Sequence, residues 1–201
     1  MTATRIVQGF PPDQRDEVAR LFWEAFSSKL GRVLSPRERA LAFLRAALRP
    51  DFALSAIDPG GRVCGVAGLK SPAGGLVAAD FADLARAYGP AGAIWRAPLL
   101  ELTERPAPPG RLLLDGLFVA SALRGQGIGT RLIEAALAEA AARGCTELRL
   151  EVTEGNPRAR ALYARLGFVA VRDRPMGLLR PILGVRRATI MARPAPSSSE
   201  R

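Results

Sequence analysis

The 201-residue sequence predicts a mixed α/β domain with one central sheet, antiparallel in its first half, carrying one parallel crossover in its second half and flanked by helices. Three observations carry this. Two short apolar segments, Asp51 to Ile57 and Arg62 to Leu69, are joined by Asp58-Pro59-Gly60-Gly61, the turn chemistry of an antiparallel hairpin. Arg111 to Val119 is a nearly continuous apolar run of the kind found in a central strand covered on both faces. After it, strand and helix patterns alternate, which places a parallel crossover between Arg111–Val119 and Glu147–Thr153.

Arg5 to Gln8 reads as a first strand, separated from the next element by Pro11-Pro12-Asp13. Val18, Leu21, Phe22, Ala25 and Phe26 recur at helical spacing and predict the first helix. Ser35-Pro36-Arg37-Glu38 combines a capping box with proline at the first helical position and predicts a second helix from about Pro36 to Leu48. After the hairpin, residues 70 to 110 form an inserted segment between the third and fourth strands, with two short helices, Asp80 to Tyr88 and Ala91 to Leu102, separated by Gly89-Pro90. Glu104 to Gly110 is a proline-rich loop. Gly127 to Arg143 places Leu132, Ile133, Ala136, Leu137 and Ala140 on one helical side, and Gly144 stands where a helix stop belongs. Glu147 to Thr153 is a strand, Pro157 to Leu166 a helix, and Phe168 to Arg172 and Arg187 to Ala192 two further strands. Residues 1 to 193 thus form a single domain, and Pro194 to Arg201 is a disordered tail. No internal repeat is present.

Composition narrows the chemistry. The chain contains no histidine, which removes Ser-His-Asp and Cys-His nucleophile systems and the commonest metal ligand; no metal site is predicted. Cys64 and Cys145 lie far apart, outside any CxxC spacing, and read as core thiols. No stretch approaches the roughly 20 apolar residues of a membrane span, and Met1 to Phe10 lacks a basic segment followed by an apolar one, so the expectation is a soluble, cytoplasmic protein without membrane contact. The net charge of +10 would suit a polyanion, but the basic residues are spread along the chain and aromatics that could stack bases are few. Only Lys29 and Lys70 are lysines, in a chain dense in Ala, Arg, Gly and Pro; drift in coding composition accounts for the charge as well as nucleic-acid binding does.

One segment carries chemistry. Arg124-Gly125-Gln126-Gly127-Ile128-Gly129-Thr130 comes after a buried strand and opens a helix, so several main-chain N–H groups lie unpaired where the helix dipole is positive. That arrangement binds pyrophosphate. Glycines at 125, 127 and 129 let an anion approach the backbone, Arg124 adds a mobile positive charge and Thr130 a hydroxyl. A tight turn with glycines chosen for packing is the competing reading. A P-loop would need Gly-Lys-Ser/Thr, and the loop has no lysine. A dinucleotide fingerprint would need Gly-x-Gly-x-x-Gly near the start of its domain, whereas here Thr130 stands where the third glycine would fall.

Arg124-x-x-Gly127-x-Gly129 resembles the Arg/Gln-x-x-Gly-x-Gly/Ala acetyl-CoA signature of the GNAT N-acetyltransferases, and Leu114-Asp115-Gly116-Leu117-Phe118-Val119 resembles its lead-in strand. A second block agrees: Leu150-Glu151-Val152 followed by Asn156 through Phe168 is similar to the family's Asn-x-x-Ala-x-x-Leu-Tyr-x-x-x-Gly-Phe segment. The detailed likeness covers about residues 111 to 172. It implies a GNAT-type mixed, mostly antiparallel sheet whose parallel pair, Arg111–Val119 and Glu147–Thr153, splays apart, with residues 70 to 110 as a helical insertion. It further implies acetyl-CoA as the acyl donor, with backbone groups of Leu117, Phe118 and Val119 on the pantetheine arm. Arg124, Gly125, Gln126, Gly127, Ile128, Gly129 and Thr130 would hold the pyrophosphate, Asn156 would sit near the pantetheine, and Tyr163 near the thioester sulfur.

The implied reaction is direct attack of a neutral amine on the acyl carbonyl, with no acyl-enzyme. It needs a base for the substrate ammonium and stabilisation or protonation of the departing thiolate. Tyr163 is the candidate acid, with an ordinary packing tyrosine as the alternative. Asp115 and Glu151 are carboxylates inside apolar strand patterns, either one a candidate base and either one equally an ion-pair partner for an arginine. The expected function is N-acetylation of a primary amine on a small molecule or peptide. A catalytically inactive acyl-CoA sensor and a basic nucleic-acid-binding domain are the alternatives from other classes. The basic bias favours acceptors that also bear carboxylate or phosphate over polycations. The insertion, with Tyr88 and Trp95, is either a substrate lid, a contact of a homodimer, or plain packing.

Overall fold

The computed structural model describes residues 4–104, 106–177 and 184–196. The strands are β1 (Arg5–Gln8), β2 (Ala53–Ile57), β3 (Val63–Ser71), β4 (Gly74–Gly75), β5 (Arg111–Val119), β6 (Glu147–Thr153), β7 (Val169–Pro175) and β8 (Arg187–Pro194). The helices are α1 (Arg15–Leu34), α2 (Arg37–Ala47), α3 (Phe81–Thr103), α4 (Ile128–Ala142) and α5 (Pro157–Arg165). The sheet order is β1-β2-β3-β5-β6-β8-β7, with β4 paired to β3 off this path. Every pairing is antiparallel except β5 with β6. The mixed, mostly antiparallel sheet with its single parallel pair is the architecture the sequence predicts.

Two apolar layers cover the sheet. One face packs α4, through Leu132, Ile133, Ala136 and Ala140, against Ala56, Ala67, Leu112, Leu148 and Leu150. The other packs α1, α2 and α3, through Val18, Phe22, Leu34, Leu44 and Leu84, against Ala53, Val66 and Phe118. Cys64 is buried and its thiol donates to the Ala56 carbonyl at 3.3 Å; Cys145 is half-buried, and both are free thiols. β5 alternates, with Leu112 and Leu114 buried and Leu113 half-exposed, so the run is less enclosed than a strand covered on both faces.

Three boundaries differ from expectation. Ser35 does not open α2 through a capping box. It ends α1 instead, its N–H bonded to the Gly31 carbonyl at 3.0 Å, and α2 begins after Pro36 without a side-chain cap. Ser35 is extended, but the N-cap of α2 falls one residue later, at Pro36, whose side chain carries no acceptor. The capping box belongs to α3, where the Asp80 carboxylate accepts from Asp83 N at 2.8 Å and the Asp83 carboxylate from Asp80 N at 3.1 Å. At the far end, β8 extends to Pro194, which pairs with Glu147, so the strand runs one residue into the segment read as a tail; residues 197–201 lie outside the described residues.

The inserted segment is welded down. α3 breaks at Gly89 (φ 74°, ψ 163°), ahead of Pro90, into the two helical stretches expected. The Tyr88 hydroxyl donates to the Leu34 carbonyl at 2.5 Å. The buried Arg96 guanidinium donates to the carbonyls of Val33 at 2.7 Å, Gly92 at 3.1 Å and Ser35 at 3.2 Å, and lies 4.0 Å from the ring centroids of both Tyr88 and Trp95. These donors reach the orphan carbonyls at the end of α1, which a helix terminus must satisfy somewhere. Tyr88 and Arg96 thus pack into the fold, while Trp95 remains 44% exposed.

Candidate active site

The site begins where the parallel pair parts. β5 pairs with β6 only from Arg111–Glu147 to Leu114–Leu150. Beyond that, β5 stays with β3 as far as Val119, and β6 stays with β8 as far as Thr153. On the β3 side Gly68 faces Gly116 and Leu69 faces Leu114, so Asp115 is an extra, bulged residue. A bulge bends its strand and adds twist, which steers β5 away from β6 at this point. Leu117, Phe118 and Val119 therefore have β3 on one side and, among the described residues, no strand on the other, and alternate backbone groups of such an edge face the gap. One of them is occupied: Arg124 Nε donates to the Val119 carbonyl at 3.1 Å.

The glycine loop lies beyond the end of β5. Gly125 and Gly127 adopt φ of 80° and 79°, a left-handed conformation that favours glycine, and a Cβ at either would meet nothing within 4 Å. Their conformation requires glycine and their surroundings leave the backbone open. Gly127 is the N-cap of α4 and supplies no side-chain cap; the first backbone bond of the helix is Arg131 N to the Gly127 carbonyl. The N–H groups of Ile128, Gly129 and Thr130 precede that bond, at the positive end of a 15-residue helix. Arg124, Gln126 and both open glycines are exposed, Thr130 is half-buried, and the Ile128 side chain is buried as an anchor for the turn. Gly129 connects the loop to the rest of the site, its Cβ position lying 3.7 Å from Leu162 of α5 and 3.9 Å from Leu117 of β5. An extended anionic ligand such as the pyrophosphate of CoA fits this open, uncapped turn.

A cavity of about 710 Å³ opens at the parting of the strands. It brings together Asp115, Leu117, Glu151, Asn156 and Tyr163; the loop at 124–130 lies outside its lining. Tyr163 is buried, tilted against Phe168 at 5.9 Å between ring centroids, and burial alone pushes its hydroxyl pKa up to about 12. Asn156 caps α5, its Oδ1 accepting from Ala159 N at 3.1 Å, so one of its polar atoms is committed to the helix. Glu151, largely buried, accepts from Arg174 at 3.4 Å, the ion pair that its place in an apolar strand allowed. Asp115 stands exposed at the bulge.

Several lining residues are not among the catalytic and cofactor-binding residues expected from the sequence. Phe26 covers the bulge: a Cβ on Gly116 would lie 3.3 Å from its ring, which packs 4.7 Å from Phe22 and 6.0 Å from Phe118. Helical periodicity placed Phe26 on an apolar face without saying which strand it meets. Arg174 of β7, and Lys70 of β3 with its ion-pair partner Glu104 beyond α3, also line the cavity, which only the folded register brings together. Among the described residues no group of His, Cys, Asp and Glu could hold a metal, and no helix is long and apolar enough to cross a membrane.

Comparison with known proteins agrees with this geometry. Residues 15–168 match the family model described as Acetyltransferase (GNAT) family. A 56-residue stretch is 41% identical to a thialysine N-epsilon-acetyltransferase of Bos taurus, covering 28% of this chain and 33% of that protein. A 94-residue stretch is 35% identical to the peptidyl-lysine N-acetyltransferase YjaB of Escherichia coli K12, covering 44% and 58%. The chain thus spans between a third and three-fifths of the length of these curated relatives. Among solved structures, a GNAT superfamily phosphinothricin acetyltransferase from Sinorhizobium meliloti, in complex with AcCoA, is 15% identical and matches with a TM-score of 0.57 over 100% of this chain and 93% of that one, a likeness of fold.

Proposed function

Because the chain belongs to the GNAT acetyltransferase family, we propose that it transfers an acetyl group from acetyl-CoA to a primary amine by direct attack, without an acyl-enzyme. The observation that carries this is the gap between β5 and β6 beyond Leu114 and Leu150, opening beside the uncapped N-terminus of α4. One end of that arrangement suits a pyrophosphate and the other an acyl group. The thialysine and peptidyl-lysine relatives both act on amines, which supports an amine acceptor here.

In this reading the N–H groups of Ile128, Gly129 and Thr130 and the Arg124 side chain hold the pyrophosphate, the free edge of Leu117–Val119 aligns the pantetheine, and Asn156 borders the same channel. Acetyl-CoA supplies an activated thioester carbonyl. The amine nitrogen bonds to that carbon, the C–S bond breaks, and the amine loses one proton. Asp115, exposed at the bulge, and Glu151, largely buried beside Arg174, both border the gap, and either one is the candidate base. Tyr163, its hydroxyl pushed up to about 12 by burial, is a weaker acid than a thiol. Full proton transfer to the thiolate is therefore uphill, and its hydroxyl acts as a hydrogen-bond donor to the developing sulfur charge.

Thiol release from acetyl-CoA in the presence of a primary-amine panel, together with CoA affinity by calorimetry, tests the proposal. Turnover that requires both substrates supports it. CoA binding without turnover on any amine would point to an acyl-CoA sensor, and no CoA affinity would remove the assignment.

A further inference from the structure

Resting on this acetyltransferase reading, we propose that Arg172 of β7 holds an anionic group of the acceptor, so that the acceptor is a primary amine that also carries a carboxylate or a phosphate. A second cavity, of about 370 Å³, adjoins the first on the face of the sheet turned away from α4. Glu104, Asp115, Glu151 and Arg174 line both cavities, whereas, among the described residues, Arg149, Arg172 and Ile190 line only the second. The two cavities therefore meet at the candidate bases, and the second leads from them across β6 and β8 to the edge strand β7.

The register makes this a straight path. Arg172 pairs with Ile190 on β8, and Ile190 with Glu151 on β6, so the three lie at one level and point to one face. Strands spaced about 4.8 Å apart set the backbones of Arg172 and Glu151 about 10 Å from each other. Half-buried Ile190 is the apolar floor between them. An amine near Asp115 and Glu151 thus has its stem over Ile190 and its far end at Arg172. That residue is available: it is exposed, and its guanidinium makes no ion pair or hydrogen bond among the described residues. The neighbouring Asp173 carboxylate faces the other way, accepting from Thr189 Oγ1 at 2.8 Å and pairing with Arg187 at 3.6 Å. Arg149 is held by Glu147 at 2.5 Å and Arg174 by Glu151 at 3.4 Å. A guanidinium meets a carboxylate or a phosphate with two parallel N–H bonds, which makes an anion the fitting partner for Arg172. The overall basic charge suggests an anion-bearing acceptor; the register gives that anion a place.

Initial rates with saturating acetyl-CoA test this with acceptors of one length: 6-aminohexanoate, 6-aminohexyl phosphate, hexylamine and 1,6-diaminohexane. The better of the two anionic amines should exceed hexylamine about 10-fold in kcat/KM, the low end for charged hydrogen bonds because Arg172 is exposed, and the advantage should shrink with added salt. Their ranking tells carboxylate from phosphate. Arg172→Gln should bring the ratio to hexylamine near one, through KM more than kcat, and Arg172→Glu should invert it in favour of 1,6-diaminohexane; an unchanged Kd for CoA verifies the fold of each variant. Hexylamine or the diamine as the equal or better acceptor of the unaltered protein overturns this inference while leaving the acetyltransferase reading intact. So does an anion preference that persists in both variants, or a loss that lowers the rates for all the acceptors together. Absence of turnover with every amine overturns both.

Discussion

Tyr163→Phe separates packing from chemistry. The ring stays against Phe168 and in its buried setting, and desolvation is the sole cause of the hydroxyl's raised pKa. Removing the oxygen should change stability near neutral pH by no more than about 1 kcal/mol. Burial pushes the hydroxyl up to about 12, so full transfer of its proton to a thiolate is uphill. A hydrogen bond to a developing charge contributes about 1.5 to 3 kcal/mol, so kcat should fall about 10- to 150-fold with the Kd for CoA unchanged. Single-turnover thiol release and calorimetry measure the two. The alkaline behaviour gives a second readout with a defined sign. Burial keeps the phenol neutral in the native chain to about pH 12, whereas the unfolded chain releases that proton near pH 10. The native state binds more protons in this window, so stability falls as pH rises through it, and Tyr163→Phe should lose less than the unaltered protein. A wild-type kcat would remove the hydroxyl from the mechanism; a loss beyond 10⁴ would mean it is a full proton donor.

Three further outcomes are expected. Gly127→Asp forces a side chain into a left-handed position, costing about 1 to 2 kcal/mol, and sets a carboxylate against the phosphates for the N–H groups of α4; calorimetry should show CoA affinity falling at least about 100-fold while circular dichroism still reports a folded chain. Asp115→Asn should depress kcat/KM most at low pH, where less of the amine is already neutral, and leave CoA affinity unchanged; an identical pH profile would transfer the base to Glu151 or to water. Arg96→Met keeps the stem but loses the donors to the Val33 and Ser35 carbonyls, so calorimetric melting should show a cost of about 3 kcal/mol, or roughly 10 °C in Tm.

What the sequence made legible was local. Apolar periodicity located α1, α4 and the strands, and the left-handed glycines at 125, 127 and 144 stand where the turn and stop signals placed them. The reach of the Arg96 guanidinium was hidden, because an arginine in an amphipathic helix reads as a solvated residue until the helix is docked. The two-residue β4 is too short to leave a pattern. The insertion of β8 between β6 and β7 depends on which edge of β6 is free, which no local spacing encodes. Glu151 could be read as base or ion-pair partner until β7 brought Arg174 to it.

The place of β8 in the sheet also sets an order of assembly. During synthesis the glycine loop, α4, β6 and α5 all leave the ribosome before Arg187, yet β6 has only a four-residue parallel pairing to β5 until β8 arrives on its other side. Until then Glu151–Thr153, one wall of the gap, is an unpaired edge, and the hairpin partner of β7 does not yet exist. A nascent or clipped chain lacking residues 187–194 would retain every residue of the acetyl-CoA signature and still present an open strand edge, the surface through which sheets join other chains. Acquisition of the site and protection from aggregation thus depend on the same late-made strand.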